Sequence, residues 1–256
     1  MQAVILCGGR GTRLHEETNV RPKPMVPVGD RPILWHIMRH YRGYGVRDFV
    51  LCLGYKGDII RDYFLNFRHH NADIEVDLAS GDVKILSQEH VDWRVRLADT
   101  GQSANTGARI RRVRDHIHSD RFFATYGDGL ADIDLDELLR FHSAQGRLVT
   151  VTAVRPPSRF GELLVDGAMV RSFVEKPQTG AGWINGGFFV LERTALDMFP
   201  DRDDLSLESH VLEDMAAKGQ LAVFKHYGFW QCMDTYREMQ HLNDLWSSGR
   251  VPWAKA

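Results

Sequence analysis

The sequence predicts an α/β protein built on a mainly parallel sheet with helices on its faces. Two observations carry this prediction. Short apolar runs of strand length alternate with longer stretches in which apolar residues recur at helical spacing, and such alternation is typical of βαβ units with right-handed crossovers. The first apolar run, AVILC at 3–7, ends directly in glycines, so the loop after it is expected at the carboxyl edge of the sheet, where ligands bind.

The first half of the chain is predicted to contain strand, loop, helix, strand and helix, followed by an insertion. The helices follow from apolar residues at helical spacing in 33–41 and 56–67, and the second strand follows from the apolar run FVLCL at 49–53. Residues 73–98 alternate polar and apolar positions and contain turn residues, which predicts an inserted ribbon of three antiparallel strands.

The second half continues the alternation and then changes to a hairpin. Helices are predicted at 106–120 and 134–146, and strands at 121–128 and 148–154. A hairpin is predicted around Asp166-Gly167, followed by a strand at 183–192 and two closing helices at 205–219 and 234–249. Because no linker or repeat interrupts the pattern, we expect one domain over 1–256, with a core at 1–154 and a smaller part at 155–256.

Composition excludes several classes of partner. Hydrophobic residues make up 43% and charged residues 26% of the chain, and the formal net charge is −2, so nothing favours binding to nucleic acid or to an acidic membrane. The chain also has no apolar stretch of the ~18 residues that a membrane span needs and no signal-peptide pattern. We therefore expect a cytoplasmic protein. Cys7 and Cys52 lie in apolar runs and are predicted to be core residues.

The stretch CGGRGTRL at 7–14 is predicted to bind phosphate. Gly8, Gly9 and Gly11 have no side chain, so peptide N–H groups can approach phosphate oxygens closely. The spacing GGxG differs from the dinucleotide fingerprint, and the Gly-Lys-Ser/Thr of a P-loop is absent. Lys23 stands between Pro22 and Pro24, which predicts a stiff, extended strip that holds its charge beside the loop.

The pair of motifs GGRGTRL and RPKPM resembles the sugar-nucleotide pyrophosphorylases, which join a nucleoside triphosphate to a sugar 1-phosphate. The segments RPILWHIM, GYKGDIIRDYF, YGDGLAD, VEKP, INGGFFVL and FWQCMDTYRE extend the resemblance over nearly the whole chain. They are most similar to the branch that uses CTP and α-D-glucose 1-phosphate to make CDP-glucose and pyrophosphate. The resemblance implies a Rossmann-like nucleotidyltransferase fold with an inserted ribbon and a smaller sugar-binding region.

The resemblance also implies a set of site residues. Nucleotide-binding residues are expected in the glycine loop and at three further places: Leu6, Gly8, Gly9, Arg10, Gly11, Thr12, Arg13, Lys23, Arg109 and Gly127. The expected sugar-phosphate ligands are Gly161, Glu175, Lys176 and Asn185. Arg13, Lys23 and Asp128 are the expected catalytic residues, and Asp128 and Asp234 are the expected ligands of Mg²⁺. With the family as support, we expect a homo-oligomer joined through the ribbon.

The expected chemistry agrees with this inventory. A sugar 1-phosphate is already an anion near neutral pH, so attack on the α-phosphorus needs no general base, but it does need cations to offset the repulsion between phosphates.

Alternatives remain for single residues: Asp234 could instead be the N-cap of the last helix. His36 and His40 are four residues apart, but no third ligand is evident, so they are not interpreted as a zinc site.

The base specificity is left open by one departure from the branch. Ala104 stands where the resemblance leads us to expect a serine that contacts the nucleotide. The same reaction with UTP, dTTP or another sugar 1-phosphate is therefore an alternative. From a different class, a non-catalytic regulator that binds sugar nucleotides is disfavoured, because such a protein has no need of cations and carboxylates at the reacting phosphate.

Overall fold

The computed structural model describes residues 1–88, 90–156, 162–166, 169–174 and 182–254. Its strands are β1 (Gln2–Leu6), β2 (Pro27–Val28), β3 (Arg31–Pro32), β4 (Asp48–Leu53), β5 (Ala72–Val76), β6 (Val83–Gln88), β7 (Arg94–Asp99), β8 (Arg121–Tyr126), β9 (Gly129–Ala131), β10 (Val149–Val154), β11 (Glu162–Asp166), β12 (Met169–Val174), β13 (Ile184–Glu192), β14 (Leu221–Lys225) and β15 (Trp230–Cys232). Its α-helices are α1 (His15–Thr18), α2 (Ile33–Gly43), α3 (Gly57–Leu65), α4 (Phe67–His70), α5 (Thr106–Arg112), α6 (Leu135–Gln145), α7 (Glu213–Ala217) and α8 (Tyr236–Ser247).

Seven of these strands form the central sheet, in the order β14-β10-β13-β8-β1-β4-β7. Strands β1, β4, β7 and β8 run parallel to one another, and β10 is parallel to β14. Strand β13 is antiparallel to both of its neighbours, β8 and β10. The predicted fold class, a mixed and mainly parallel sheet flanked by helices, is confirmed.

The central sheet lies between two apolar cores, and its central strands are therefore buried on both faces. In β1, Ala3 and Ile5 belong to one core, while Val4 and Leu6 belong to the other. Side chains alternate between the faces of a strand, so a continuous apolar run supplies both cores at once. The buried side of α2 packs into the first core, and the buried side of α5 packs into the second.

The predicted three-stranded ribbon is wrong in its third strand. Strands β5 and β6 do pair antiparallel and project as a two-stranded ribbon. Strand β7 instead lies parallel to β4 at the edge of the central sheet. Val95 and Leu97 are half-buried against the first core, and Arg94 and Arg96 lie on the opposite face of the strand, so the alternation in this segment reflects an edge strand of the central sheet. Alternation alone does not reveal a partner.

Two predicted helices are shorter or less regular than expected. Helix α5 ends at Arg112 and is followed by a 3₁₀ turn, Arg114–His116. The segment 205–219 contains a π-helical turn, Leu207–Leu212, before α7. The predicted hairpin is present as β11 and β12. In the part of the chain that the structure describes, no helix has the length and apolarity to cross a membrane.

Candidate active site

The glycine loop leaves β1 at the carboxyl edge of the sheet. The start of the loop is held to the end of β4, because the N–H of Cys7 donates to the Cys52 carbonyl at 3.0 Å and the N–H of Tyr55 donates to the Gly8 carbonyl at 3.2 Å. Gly11 has φ +61°, and a Cβ there would lie 2.9 Å from Thr18 Cγ2. Glycine is therefore required at position 11 both for its left-handed backbone and for space.

Arg109 lies beneath this loop with 4% of its surface exposed. Its guanidinium donates to the carbonyls of Gly8, Leu53 and Gly101 at 2.9–3.0 Å and to Thr100 Oγ1 at 2.7 Å. A Cβ built on Gly8 would lie only 2.1 Å from the guanidinium. Arg109 thus ties the ends of β1, β4 and β7 together, and its expected contact with the nucleotide stays a prediction.

Lys23 is buried, but its predicted extended conformation is wrong. Residues Lys23–Met25 form a 3₁₀ turn, in which the Val26 N–H donates to the Lys23 carbonyl at 3.0 Å. Pro22 has the extended conformation, which the fixed φ of proline allows. Pro24 is accommodated because an early position in a helical turn needs no N–H donor. From this turn the ammonium group reaches Asp128 and Asp234.

Four charged side chains converge at the rim of the loop. Lys23 Nζ lies 2.9 Å from Asp128 Oδ2 and also forms an ion pair with Asp234 Oδ1. Arg13 Nη1 lies 2.7 Å from Asp234 Oδ2, and the Arg13 side chain is 71% exposed. Burial acts to lower the pKa of Lys23, but the two carboxylates raise it overall. The ammonium group is therefore charged at neutral pH.

A short pairing between β9 and β15 brings the two carboxylates together. Gly129 pairs with Cys232, and the N–H of Met233 donates to the Asp128 carbonyl at 2.9 Å. Asp128 thus directly precedes β9, and Asp234 lies just after β15, at the same end of this pairing. The alternative that Asp234 caps the last helix is wrong, because Thr235 is the N-cap and forms a capping box with Glu238.

Two of the converging side chains, Lys23 and Asp128, line a cavity of about 270 Å³. Among the residues expected to bind nucleotide, those that line it are Leu6, Gly8, Gly9, Gly11, Lys23, Arg109 and Gly127. Asp128 and Ala104 line it as well, whereas Arg10, Thr12 and Arg13 are exposed outside its lining. The geometry provides bare backbone, fixed positive charge and two carboxylates at one edge of the sheet, an arrangement suited to a polyphosphate and a divalent ion.

The expected sugar side is described only in part. Gly161, Glu175 and Lys176 lie outside the described residues. The side chain of Asn185 donates to the Tyr126 hydroxyl at 3.0 Å and accepts from the Gly187 N–H at 2.9 Å. Because Tyr126 lines the cavity, Asn185 is placed beside it.

Sequence reasoning missed the polar residues that hold the cavity walls. Thr106 and Tyr126 line the cavity, and both donate to the carboxylate of Glu208. Tyr126 lies in the segment YGDGLAD directly before Gly127 and Asp128, so its position at a strand end is a usable signal. Glu208 had no comparable signal, because it lies 82 residues from Tyr126.

His36, Cys7 and Cys52, which the sequence does not assign to the site, are structural residues. His36 Nε2 lies 2.8 Å from the Val28 carbonyl, and Trp253 Nε1 donates to His36 Nδ1 at 3.3 Å. Burial lowers the pKa of His36 to about 4, so the ring is neutral at pH 7. Cys7 and Cys52 are buried free thiols, as predicted.

Residues 2–235 match the family model described as nucleotidyl transferase, and the chain belongs to this family. It is 46% identical over 254 residues to glucose-1-phosphate cytidylyltransferase of Salmonella typhi, a match that covers 99% of this chain and 98% of the relative. It is 43% identical to a probable glucose-1-phosphate cytidylyltransferase of Bacillus subtilis, covering 99% of each. Among solved structures, HddC from Yersinia pseudotuberculosis superposes with a TM-score of 0.66 at 25% identity, covering 96% of this chain and 99% of that one.

Proposed function

We propose that this enzyme transfers a cytidylyl group from CTP to α-D-glucose 1-phosphate and releases CDP-glucose and pyrophosphate. The observation that carries the proposal is the convergence of Lys23 and Arg13 with Asp128 and Asp234 beside a glycine loop. The choice of substrates rests on the full-length similarity to the cytidylyltransferases of Salmonella typhi and Bacillus subtilis.

The reaction is a displacement at the α-phosphorus of the nucleotide. An oxygen of the sugar 1-phosphate forms a bond to that phosphorus, and the bond to the bridging oxygen of the β-phosphate breaks. Pyrophosphate leaves with the electron pair. Lys23 and Arg13 are proposed to hold the triphosphate and to stabilise the charge that grows on the leaving group, which is the main need of phosphoryl-type transfer.

We further propose that Asp128 and Asp234 hold Mg²⁺ in the working enzyme. Among the described residues no cluster of three or more His, Cys, Asp or Glu side chains offers a complete metal site. Two carboxylates beside a phosphate site nevertheless fit this ion, because Mg²⁺ usually keeps water and substrate phosphate as its other ligands. When bound, the ion would supply charge neutralisation at the phosphate oxygens.

The sugar phosphate is proposed to bind at Gly161, Glu175, Lys176 and Asn185. Lys176 would pair with the phosphate, while Glu175 and Asn185 would bond to sugar hydroxyls. Residues 155–256 would thus provide most of the sugar side and residues 1–154 most of the nucleotide side. The placement of Asn185 beside the cavity supports this division.

The base specificity is tested by pyrophosphate release with each of CTP, UTP, dTTP, ATP and GTP, combined with glucose, mannose or galactose 1-phosphate. We expect CTP with glucose 1-phosphate to give the highest kcat/KM. A second pair that reaches the same value would overturn the proposed specificity. The variant Ala104→Ser shows whether this position matters, since Ala104 lines the cavity.

The assembly is proposed to be a homo-oligomer joined through the β5–β6 ribbon, and its location the cytoplasm. The ribbon is exposed and carries apolar side chains on its surface, among them Ile74, Val76, Val83 and Leu86, each at least 40% exposed. Surface clusters of this kind often mark subunit contacts. Sedimentation of a Val76→Asp and Leu86→Asp double variant tests the proposal, and an unchanged assembly size would contradict it.

A further inference from the structure

Glu208 lies at the centre of a hydrogen-bond network behind the cavity. It belongs to the π-helical turn Leu207–Leu212, a kind of turn that is frequent at functional sites. Its Oε1 accepts from the Tyr126 hydroxyl at 2.5 Å, and its Oε2 accepts from Thr106 Oγ1 at 2.7 Å and Ser206 Oγ at 2.8 Å. Three hydroxyl donors to one carboxylate form a strong, charge-assisted set of bonds.

One branch of the network reaches the wall of the cavity formed by α5. The Leu207 N–H donates to Thr106 Oγ1 at 2.8 Å, and the Ala108 N–H donates to the Leu205 carbonyl at 3.0 Å. Ala104, Thr106 and Arg109 line the cavity on this side. The position of Glu208 therefore fixes the start of α5, the wall where nucleotide binding is expected.

The other branch reaches Asn185 through Tyr126. A phenol carries one proton, and the Tyr126 hydroxyl donates it to Glu208. Toward Asn185 the hydroxyl can only accept, so the amide turns its Nδ2 to Tyr126 and its Oδ1 to the Gly187 N–H. These two bonds use one N–H and one lone pair, and the amide has a second of each with which to bind a sugar hydroxyl.

The charge state of Glu208 supports this directionality. Burial acts to raise its pKa, but the hydrogen bonds from Tyr126, Thr106 and Ser206 lower it overall. The proton of the Tyr126–Glu208 pair therefore stays on the phenol at neutral pH, and the carboxylate stays an acceptor.

We propose that Glu208 is a positioning residue that fixes two walls of the active site at once. It acts through Thr106 on the wall expected to bind the nucleotide and through Tyr126 on the side expected to bind the sugar. The inference rests on the proposed function, because it assigns the two branches to the two substrates of that reaction. It adds a residue to the site without giving it contact with the reacting atoms.

Four single variants separate the branches. Tyr126→Phe removes the sugar branch, Thr106→Val removes the nucleotide branch, and Glu208→Gln disturbs both. Glu213→Gln is the matched control, because Glu213 is an exposed carboxylate that follows the same π-turn. Steady-state kinetics gives KM for CTP and for glucose 1-phosphate, titration calorimetry gives the affinity for each ligand alone, and thermal unfolding checks the fold.

We expect Tyr126→Phe to raise the KM for glucose 1-phosphate by about tenfold, equal to ~1.4 kcal/mol and close to the value of one hydrogen bond. The KM for CTP should stay within about twofold of that of the wild type. Thr106→Val should show the reverse pattern, and Glu208→Gln should raise both values. The control should change neither.

The inference would be overturned if Tyr126→Phe and Thr106→Val each changed both KM values equally. It would also be overturned if these variants lowered the melting temperature or kcat and left both KM values unchanged. If Glu208→Gln does not fold, the two branch variants still decide, since each removes a single hydroxyl. Failure of the proposed function has a different signature, namely a wild-type protein that forms no CDP-glucose. The ligand affinities then test the two branches without turnover.

Discussion

Lys23 and Asp128 are 105 residues apart in the chain, yet the ammonium group of one lies 2.9 Å from the carboxylate of the other. The contact exists because Lys23 follows the glycine loop of β1 while Asp128 ends the segment after β8, and β1 and β8 are parallel neighbours. Parallel neighbours carry their following loops at the same edge of the sheet. The sheet order therefore creates the charged site.

Replacement of Lys23 by Met should abolish most of the activity. The variant removes the cation that two carboxylates share and that is expected to contact the phosphates, so we expect kcat to fall by about a thousandfold or more, about 4 kcal/mol of transition-state stabilisation. Pyrophosphate release measures it. Lys218→Met is the control, since Lys218 is an exposed residue paired only with Asp214 in the described contacts. A Lys23 variant with near-normal kcat would refute the role.

The glycine loop offers a matched pair of substitutions. Gly8→Ala places a methyl group 2.1 Å from the buried guanidinium of Arg109, whereas a methyl group on Gly9 meets nothing within 4 Å. We expect Gly8→Ala to reduce the free energy of unfolding by about 1–3 kcal/mol, the usual cost of overpacking. Gly9→Ala should change it by less than ~0.5 kcal/mol. Urea unfolding compares the two variants, and equal stabilities would show that the Arg109 contact is absent in solution.

Mild acid should destabilise the fold through His36. Its pKa is lowered by burial to about 4 in the folded protein, against ~6.5 in an unfolded chain. Below pH 6.5 the unfolded state binds the proton first, so the stability conferred by the neutral ring is present above this pH and is lost as the pH falls toward 4. The total contribution is up to ~3 kcal/mol.

Urea midpoints measured between pH 7.5 and pH 5 test this effect. Between these pH values the urea midpoint of the His36→Gln variant should fall by less than that of the wild type. Part of the fall that remains should come from His142, whose pKa is also lowered by burial. His118→Gln is the control, because His118 is exposed. If the urea midpoint of His36→Gln changes with pH as much as that of the wild type, the neutral, buried state of this ring is contradicted.

Periodicity alone predicted the fold class and the end of β1, because a buried parallel strand is an unbroken apolar run. It could not predict that β7 joins β4, since an edge strand and a ribbon strand have the same alternation. The family resemblance singled out Asp234, but only the pairing of β9 with β15 explains its place beside Asp128. Glu208 could not be predicted from the sequence, because two of its three donors, Thr106 and Tyr126, lie 102 and 82 residues away in the chain.

One charged cluster is proposed to bind the reacting phosphates and stabilise their charge, and a double-mutant cycle on Lys23 and Asp128 tests this role most directly. The kcat for CDP-glucose formation is measured for Lys23→Met, Asp128→Asn and the double variant, with Asp136→Asn, an exposed carboxylate on α6, as control. Residues that act as a unit are strongly non-additive. We predict that each single variant loses about a thousandfold and that the double variant is scarcely worse. Losses that multiply fully in the double variant would contradict the account.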